Sequence, residues 1–174
     1  MSVDDPLRAL VEAAREGDDH AVAELVRRTQ ADVWRLCRAL GSPGEEQDLV
    51  QESYLRALRS LDSFRGDSSV RSWLLAIARH TCADHVRKRA RQRRLLERLR
   101  PTADAGSIPP PSTIDDLLDG LAPDRRDAFV LTQMLGLSYE EAADALECPI
   151  GTVRSRVARA RAELLQVVRQ ARSV

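Results

Sequence analysis

Four arginines fall within eight positions of PIGTVRSRVARARAEL, residues 149–164: Arg154, Arg156, Arg159 and Arg161. Guanidinium groups at this density offer charge and hydrogen-bond donation rather than catalysis; their fork geometry matches phosphate oxygens and guanine edges. At 100° per residue, Val153, Val157, Ala160 and Leu164 share an arc of about 60°, which predicts a core-facing stripe on one helix. Opposite it lie Thr152, Ser155, Ala158 and Arg159. Arg154 and Arg161 flank that face on one side and Arg156 on the other. Short polar side chains in the middle suit base edges, and long cations at the rims suit phosphates. The competing reading is a solvated, arginine-rich surface helix.

The preceding segment favours the first reading. Ser138 and Glu141 form a capping-box pattern, serine at the cap and glutamate three residues on. The helix it opens is short, with Ala142, Ala143 and Leu146 facing inward. Glu147-Cys148-Pro149 joins it tightly to the arginine helix. A short helix, a tight turn and a basic second helix make the sequence form of a helix-turn-helix.

The wider chain must position these residues. It has 174 residues, with 27 basic and 27 acidic side chains and 3% aromatics, a mix that suits small helical cores better than sheets. The neutral total hides an alternation: net −4 over 1–60, +7 over 61–100, −8 over 101–148 and +5 over 149–174. Two basic segments suggest two contacts with a polyanion. The acidic ones suggest self-shielding, in which they pack on the basic ones and mask DNA binding, or a basic partner. Cys37, Cys82 and Cys148 have no zinc or redox spacing; they read as small buried hydrophobes in a reducing cytosol. No apolar run approaches the roughly 20 residues of a membrane span, and the acidic start MSVDDPLRAL is no signal peptide. No nucleotide loop, metal cluster or nucleophile–base pair appears. The expectation is therefore a cytoplasmic protein that is not an enzyme and needs no metal or cofactor.

The remaining pattern is all-α. Leu7, Leu10, Val11 and Ala14 give a first short helix ended by Gly17. Asp18 or Asp19 caps a second, running to about Leu40. Residues 48–61 form an amphipathic third helix. The loop SFRGDSS, 63–69, precedes a long fourth helix capped by Ser68 or Ser69, which runs through Trp73 and Ile77 into RKRARQRR. PTADAGSIPPPST, 101–113, holds four prolines and reads as a linker. Helices follow at 117–121, from Pro123 to about Leu135, around 139–146, and from 149 to about 170. Two small helical domains result, 7–98 and 115–170, joined by a flexible linker at 99–114.

LSYEEAADALECPIGTVRSRVARARAEL resembles region 4 of bacterial sigma factors of the extracytoplasmic-function (ECF) group. DLVQESYLRAL, 48–58, resembles their region 2.2. FRGDSSVRSWLLAIARHTCADHVRKRAR, 64–91, resembles regions 2.3 and 2.4. Among relatives, WLLAIARH and LTQMLGLSYEEAA resemble an actinobacterial, sigma factor C-like subgroup. The resemblance implies a subunit that gives RNA polymerase its promoter specificity, with region 4 on the −35 element and region 2 melting the −10 element. A helix-turn-helix regulator that does not replace a sigma subunit is the alternative; it leaves the matches in the first half idle.

On this basis, Thr152, Arg154, Ser155, Arg156 and Arg159 are candidates for −35 DNA. Phe64, Arg65, Asp67, Ser68 and His80 are candidates for the pocket taking a flipped −10 base, whose lost stacking and pairing cost a few kcal/mol. Arg87, Lys88 and Arg91, within a dense cationic run, are candidates for nearby phosphates. Asp48, Gln51, Glu52 and Leu55 share the outward face of the third helix, an acidic face around one leucine. The resemblance assigns it to core polymerase, through the β′ clamp coiled coil, with the β subunit as a further contact. Promoter DNA is the second partner, an anti-sigma factor a candidate third, and no membrane is expected. Two positions depart from the family pattern. His80 stands where asparagine is usual, and Glu147 where glycine is usual, at a cost of about 1 kcal/mol if its backbone is left-handed.

Overall fold

The computed structural model describes residues 5–99 and 113–171. Its described residues are all-α, as the sequence pattern predicts. The helices are α1 (Arg8–Arg15), α2 (Asp19–Leu40), α3 (Glu46–Arg59), α4 (Val70–Leu99), α5 (Ile114–Asp119), α6 (Pro123–Phe129), α7 (Tyr139–Ala145) and α8 (Ile150–Ala171). The linker expected over 99–114 lies mostly outside the described residues. At its edges α4 reaches Leu99 and α5 begins at Ile114, one residue inside that range at each end.

Local chemistry sets these boundaries. Asp18 caps α2 by accepting from the backbone N–H groups of His20 and Ala21. Thr113 and Asp116 close a capping box on α5, and Ser138 and Glu141 close one on α7. Each cap satisfies donors that would otherwise be orphaned, worth about 1 kcal/mol. The third helix begins two residues earlier than expected and ends at Arg59, with a 3₁₀ turn over Leu61–Ser63. One feature had no sequence signal: α6 passes into a π-helical turn, Val130–Met134, where the Leu135 N–H donates to the Val130 carbonyl at 3.0 Å.

Two cores hold the chain. The smaller joins α1, the start of α2, Leu61, Phe64 and Val70. The larger runs without interruption from α2, α3 and α4 into α5–α8, and includes Leu36, Leu74, Leu75, Leu118, Leu131 and Val153. Each fully buried large aliphatic contributes about 1.5–3 kcal/mol. Cys37 and Cys82 are buried together there. Trp73 packs against both cores, its ring centroid 5.1 Å from that of Phe64. The two helical units, α1–α4 and α5–α8, thus pack directly against each other.

Candidate nucleic-acid interface

The arginine helix is α8, seated on α6 and α7 through Val153, Val157 and Ala160, all buried. The turn before it closes with Glu147 at φ +51°, the left-handed conformation that disfavours a side chain. Arg154, Ser155 and Arg159 stand exposed on the outward face, and Thr152 is half-buried at the helix start. The Arg154 guanidinium lies 6.0 Å from the Tyr139 ring centroid. Arg156 is half-buried, donates to Asp124 at 2.7 Å and reaches Cys148 Sγ at 3.6 Å. In the free protein it braces the helix-turn-helix against α6.

The loop before α4 is built from the amino-terminal end. Arg15 donates to the Leu61 carbonyl at 2.7 Å and also to that of Phe64. Arg8 donates to the Gly66 carbonyl at 2.8 Å. Gly66 has φ +77°, a conformation that favours glycine, and the Arg8 guanidinium fills the space a Cβ would take. Asp5 accepts from the Val70 N–H at 2.7 Å, and Ser69 accepts from the Ser72 N–H at 3.1 Å, together capping α4. Arg65 and Asp67 project into solvent, 85% and 79% exposed, 3.3 Å apart. Ser68 is half-buried. Phe64 is only 6% exposed and anchors the loop in the small core.

On α4, His80, Arg87 and Arg91 fall on one stripe, at i, i+7 and i+11. Lys88 is exposed about 80° round the helix from His80, lining a groove with Asp48 and Glu52 of α3. Arg87 is exposed and pairs with Asp84 at 2.6 Å; Arg91 is exposed and forms no ion pair among the described residues.

The start of α4 lies under α7. Glu141 splits its carboxylate between the two units. Oε2 closes its own capping box, while Oε1 accepts from the Ser72 hydroxyl at 2.8 Å and the Ser69 hydroxyl at 3.1 Å. Burial pushes this carboxyl up, but the Ser138 N–H and the hydroxyls of Ser72, Ser138 and Ser69 outweigh it, and Glu141 titrates below the usual range. Arg79 pairs with Asp127 at 2.7 Å. Arg71 bridges Asp32 at 2.7 Å and the Leu135 carbonyl at 2.5 Å, where the π turn ends. Arg126 donates to the Ala39 carbonyl at 2.7 Å, and Arg38 pairs with Asp115 at 2.9 Å. His80 and Glu147, the two departures from the family pattern, face each other across this boundary at 3.7 Å. Acidic α5–α7 therefore does pack on the basic start of α4. Arg154 and Arg159 of α8 stand exposed outside this joint. Ser69, Ser72, Arg71, Arg79, Asp127 and Glu141 were not singled out from sequence as a joint between domains, nor Asp5, Arg8 and Arg15 as the residues that hold the loop before α4.

On α3, Asp48, Gln51 and Leu55 are exposed, whereas Glu52 is half-buried and neutralised by Arg56 at 2.8 Å. Arg56 also holds Asp84 of α4 at 2.7 Å. No group of three or more metal-ligating side chains occurs, and no helix is long and apolar enough to cross a membrane, among the described residues.

Family comparisons agree with both halves. The model for sigma-70 region 2 matches residues 25–92, and that for sigma-70, region 4 matches residues 112–164. The ECF RNA polymerase sigma factor SigC of Mycobacterium tuberculosis is 42% identical over 170 residues, covering 94% of this chain and 92% of the relative. The ECF RNA polymerase sigma-E factor of Haemophilus influenzae is 34% identical over 171 residues, covering 88% and 90%. Among solved structures, CnrH in complex with the cytosolic domain of CnrY superposes with TM-score 0.74 at 29% identity, covering 94% of this chain and 97% of that one. The sigma factor RpoE of Bartonella quintana, in complex with the anti-sigma factor NepR, gives TM-score 0.72 at 28% identity, covering 84% and 96%. A region 2 unit carrying the acidic α3 and the basic stripe of α4, followed by a region 4 helix-turn-helix, places this chain in the ECF sigma factors, non-enzymatic subunits that direct RNA polymerase to promoters and initiate transcription.

Proposed function

We propose that the chain works in the cytoplasm by two separate grips on the promoter, and that the free protein holds one of them shut. α5–α8 read the −35 element through Thr152, Arg154, Ser155 and Arg159, with Arg156 fixing the frame. The loop 63–69, through Arg65, Asp67 and Ser68, and the α4 stripe through His80, Arg87 and Arg91, take the −10 strand. α3 docks on the β′ clamp coiled coil of core polymerase through Asp48, Gln51 and Leu55. Separate grips on one tether raise each other's effective concentration, so neither need bind tightly alone.

The observation that carries this reading is on α4: its cationic end is exposed while its start is tied to α7 through Glu141. An exposed −35 face and a covered −10 face fit a protein that opens when polymerase separates its two units. An anti-sigma factor is a natural further partner, since the similar sigma factor RpoE was solved in complex with the anti-sigma factor NepR. Run-off transcription with purified core polymerase on a randomised promoter library tests the assignment. Arg154→Ala or Arg159→Ala should change preference only in the −35 element, and His80→Ala only in the −10 element. Shifts in the opposite element would refute it.

A further inference from the structure

Helix α1 lies outside the region 2 match, which begins at residue 25. Leu7, Val11 and Ala14 seat it in the small core. Arg8 and Arg15, seven residues apart, share one face of the helix, and both turn their guanidinium groups onto carbonyls of the loop before α4. Arg15 Nη2 donates to the Leu61 carbonyl at 2.7 Å and to that of Phe64, and its Nε also donates to Leu61 at 3.0 Å. Glu12 accepts from Arg15 Nη1 at 3.0 Å, so the guanidinium plane is held from both sides. Arg8 donates to the Gly66 carbonyl at 2.8 Å. One oxygen of the Asp5 carboxylate accepts from the Leu7 N–H at 3.0 Å and the other from the Val70 N–H at 2.7 Å, which joins the starts of α1 and α4. The backbone is thus fixed at 61, 64, 66 and 70. Arg65, Asp67 and Ser68 stand between the fixed points.

We infer that Arg8 and Arg15 are positioning residues for −10 recognition, setting the base preference of the loop through its backbone. This rests on the reading of the loop given above. Residues 65–68 belong to no helix, and Arg65 and Asp67 are exposed, so the loop has little internal support where it meets the strand. Groups that discriminate between bases must be held to within about 0.5 Å. The α1 arginines supply that support from 46 to 58 positions away in the chain. Hydrogen bonds from a charged donor are stronger than neutral ones. A guanidinium fork spans two carbonyls at once, whereas an ammonium group acts as a point charge. Arg8 also lines the same cavity, of about 600 Å³, as Asp67 and Ser68. Its loss would therefore shift the wall on which those two side chains stand.

Run-off transcription by the full chain with core polymerase, on templates randomised across the −10 element, reads the preference; melting curves read the fold. Arg8→Met and Arg15→Met should each relax discrimination at one −10 base about ten-fold, the order that a single base contact supplies, with −35 preference unchanged. Arg15→Lys keeps the charge without the fork and should relax it as well. Val11→Ala loosens the same core without touching the loop carbonyls, so it should lower the melting temperature and leave the preference as it is. Equal relaxation by Val11→Ala would show that α1 only holds the core together, and the inference falls. If Arg65→Ala or Asp67→Ala changes the preference while the α1 variants do not, the inference falls and the loop reading stands. If all are silent, both fall. Relaxation by Arg8→Met with both loop variants silent would make Arg8 a direct contact and overturn the proposal. Should Arg15→Met not fold, Arg8→Met and Arg15→Lys carry the same comparison.

Discussion

Replacing Asp127 by arginine should open the free protein. Asp127 lies on α6 and pairs with Arg79 of α4 at 2.7 Å, the two side chains only 15% and 22% exposed. Two unit charges at about 4 Å interact by about 4 kcal/mol at an effective dielectric constant of about 20. Burial pushes the Asp127 carboxyl up despite Arg79, so desolvation already offsets much of the native attraction. The larger part of the effect is then new repulsion among arginines at 127, 79 and 126. Allowing for side chains that swing away, the closed arrangement should lose about 3 kcal/mol, a factor on the order of 100 in its population. Dyes at the exposed positions Gln47 and Gln166, introduced without cysteine chemistry, would report the distance between units by single-molecule energy transfer. Because apparent affinity scales with the competent fraction, binding of a single-stranded −10 non-template oligonucleotide should tighten by up to the same factor. Asp127 lies outside the unit assigned to that strand, so tighter binding measures release. The swap Arg79→Asp with Asp127→Arg should restore closure. An unchanged distance distribution and unchanged oligonucleotide affinity in a folded Asp127→Arg protein would refute the reasoning.

Other consequences are narrower. Arg159→Ala should cost roughly 1–3 kcal/mol at one −35 base position and relax preference there, whereas Arg156→Ala should lower thermal stability with little change in preference; selection on a −35 library plus a melting curve separates the two. Glu147→Gly should relieve about 1 kcal/mol of left-handed strain and raise the melting temperature by a few degrees, while removing the contact with His80. Glu141 titrates below the ordinary carboxylate range. Its contribution to closure is therefore complete above about pH 4.3 and is lost as pH falls through its lowered value. Energy transfer should report that loss in acid, and Glu141→Gln should abolish this component.

The helices were legible in the sequence because their signals are local. Asp18, Thr113 and Ser138 act on amides two or three residues away, and the stripe Val153, Val157, Ala160 needs only the helical period. The left-handed Glu147 was foreshadowed by the glycine that the resembling family usually carries at that position. Other features depend on residues distant in the chain. Arg156 looked free because Asp124, its partner, lies 32 positions earlier. The burial of Phe64 was not legible because nothing local shows that Trp73 and the small core enclose it. Lys88 shares a cationic run with Arg87, yet one residue of helical rotation turns it towards α3. The π turn left no trace because one extra residue per turn does not disturb an apolar run as short as Val130–Leu131. The joint between the units joins α4 to partners some 50–70 positions away, at Asp127 and Glu141. Charge alternation alone hinted at it.

The most direct measurement is permanganate footprinting of melted thymines on a promoter selected by this chain with core polymerase. The account predicts reactive thymines confined to the −10 region with the reconstituted enzyme, and none with core polymerase or the free chain alone. A chain that binds the −35 sequence but yields no melted −10 segment with core polymerase would contradict it.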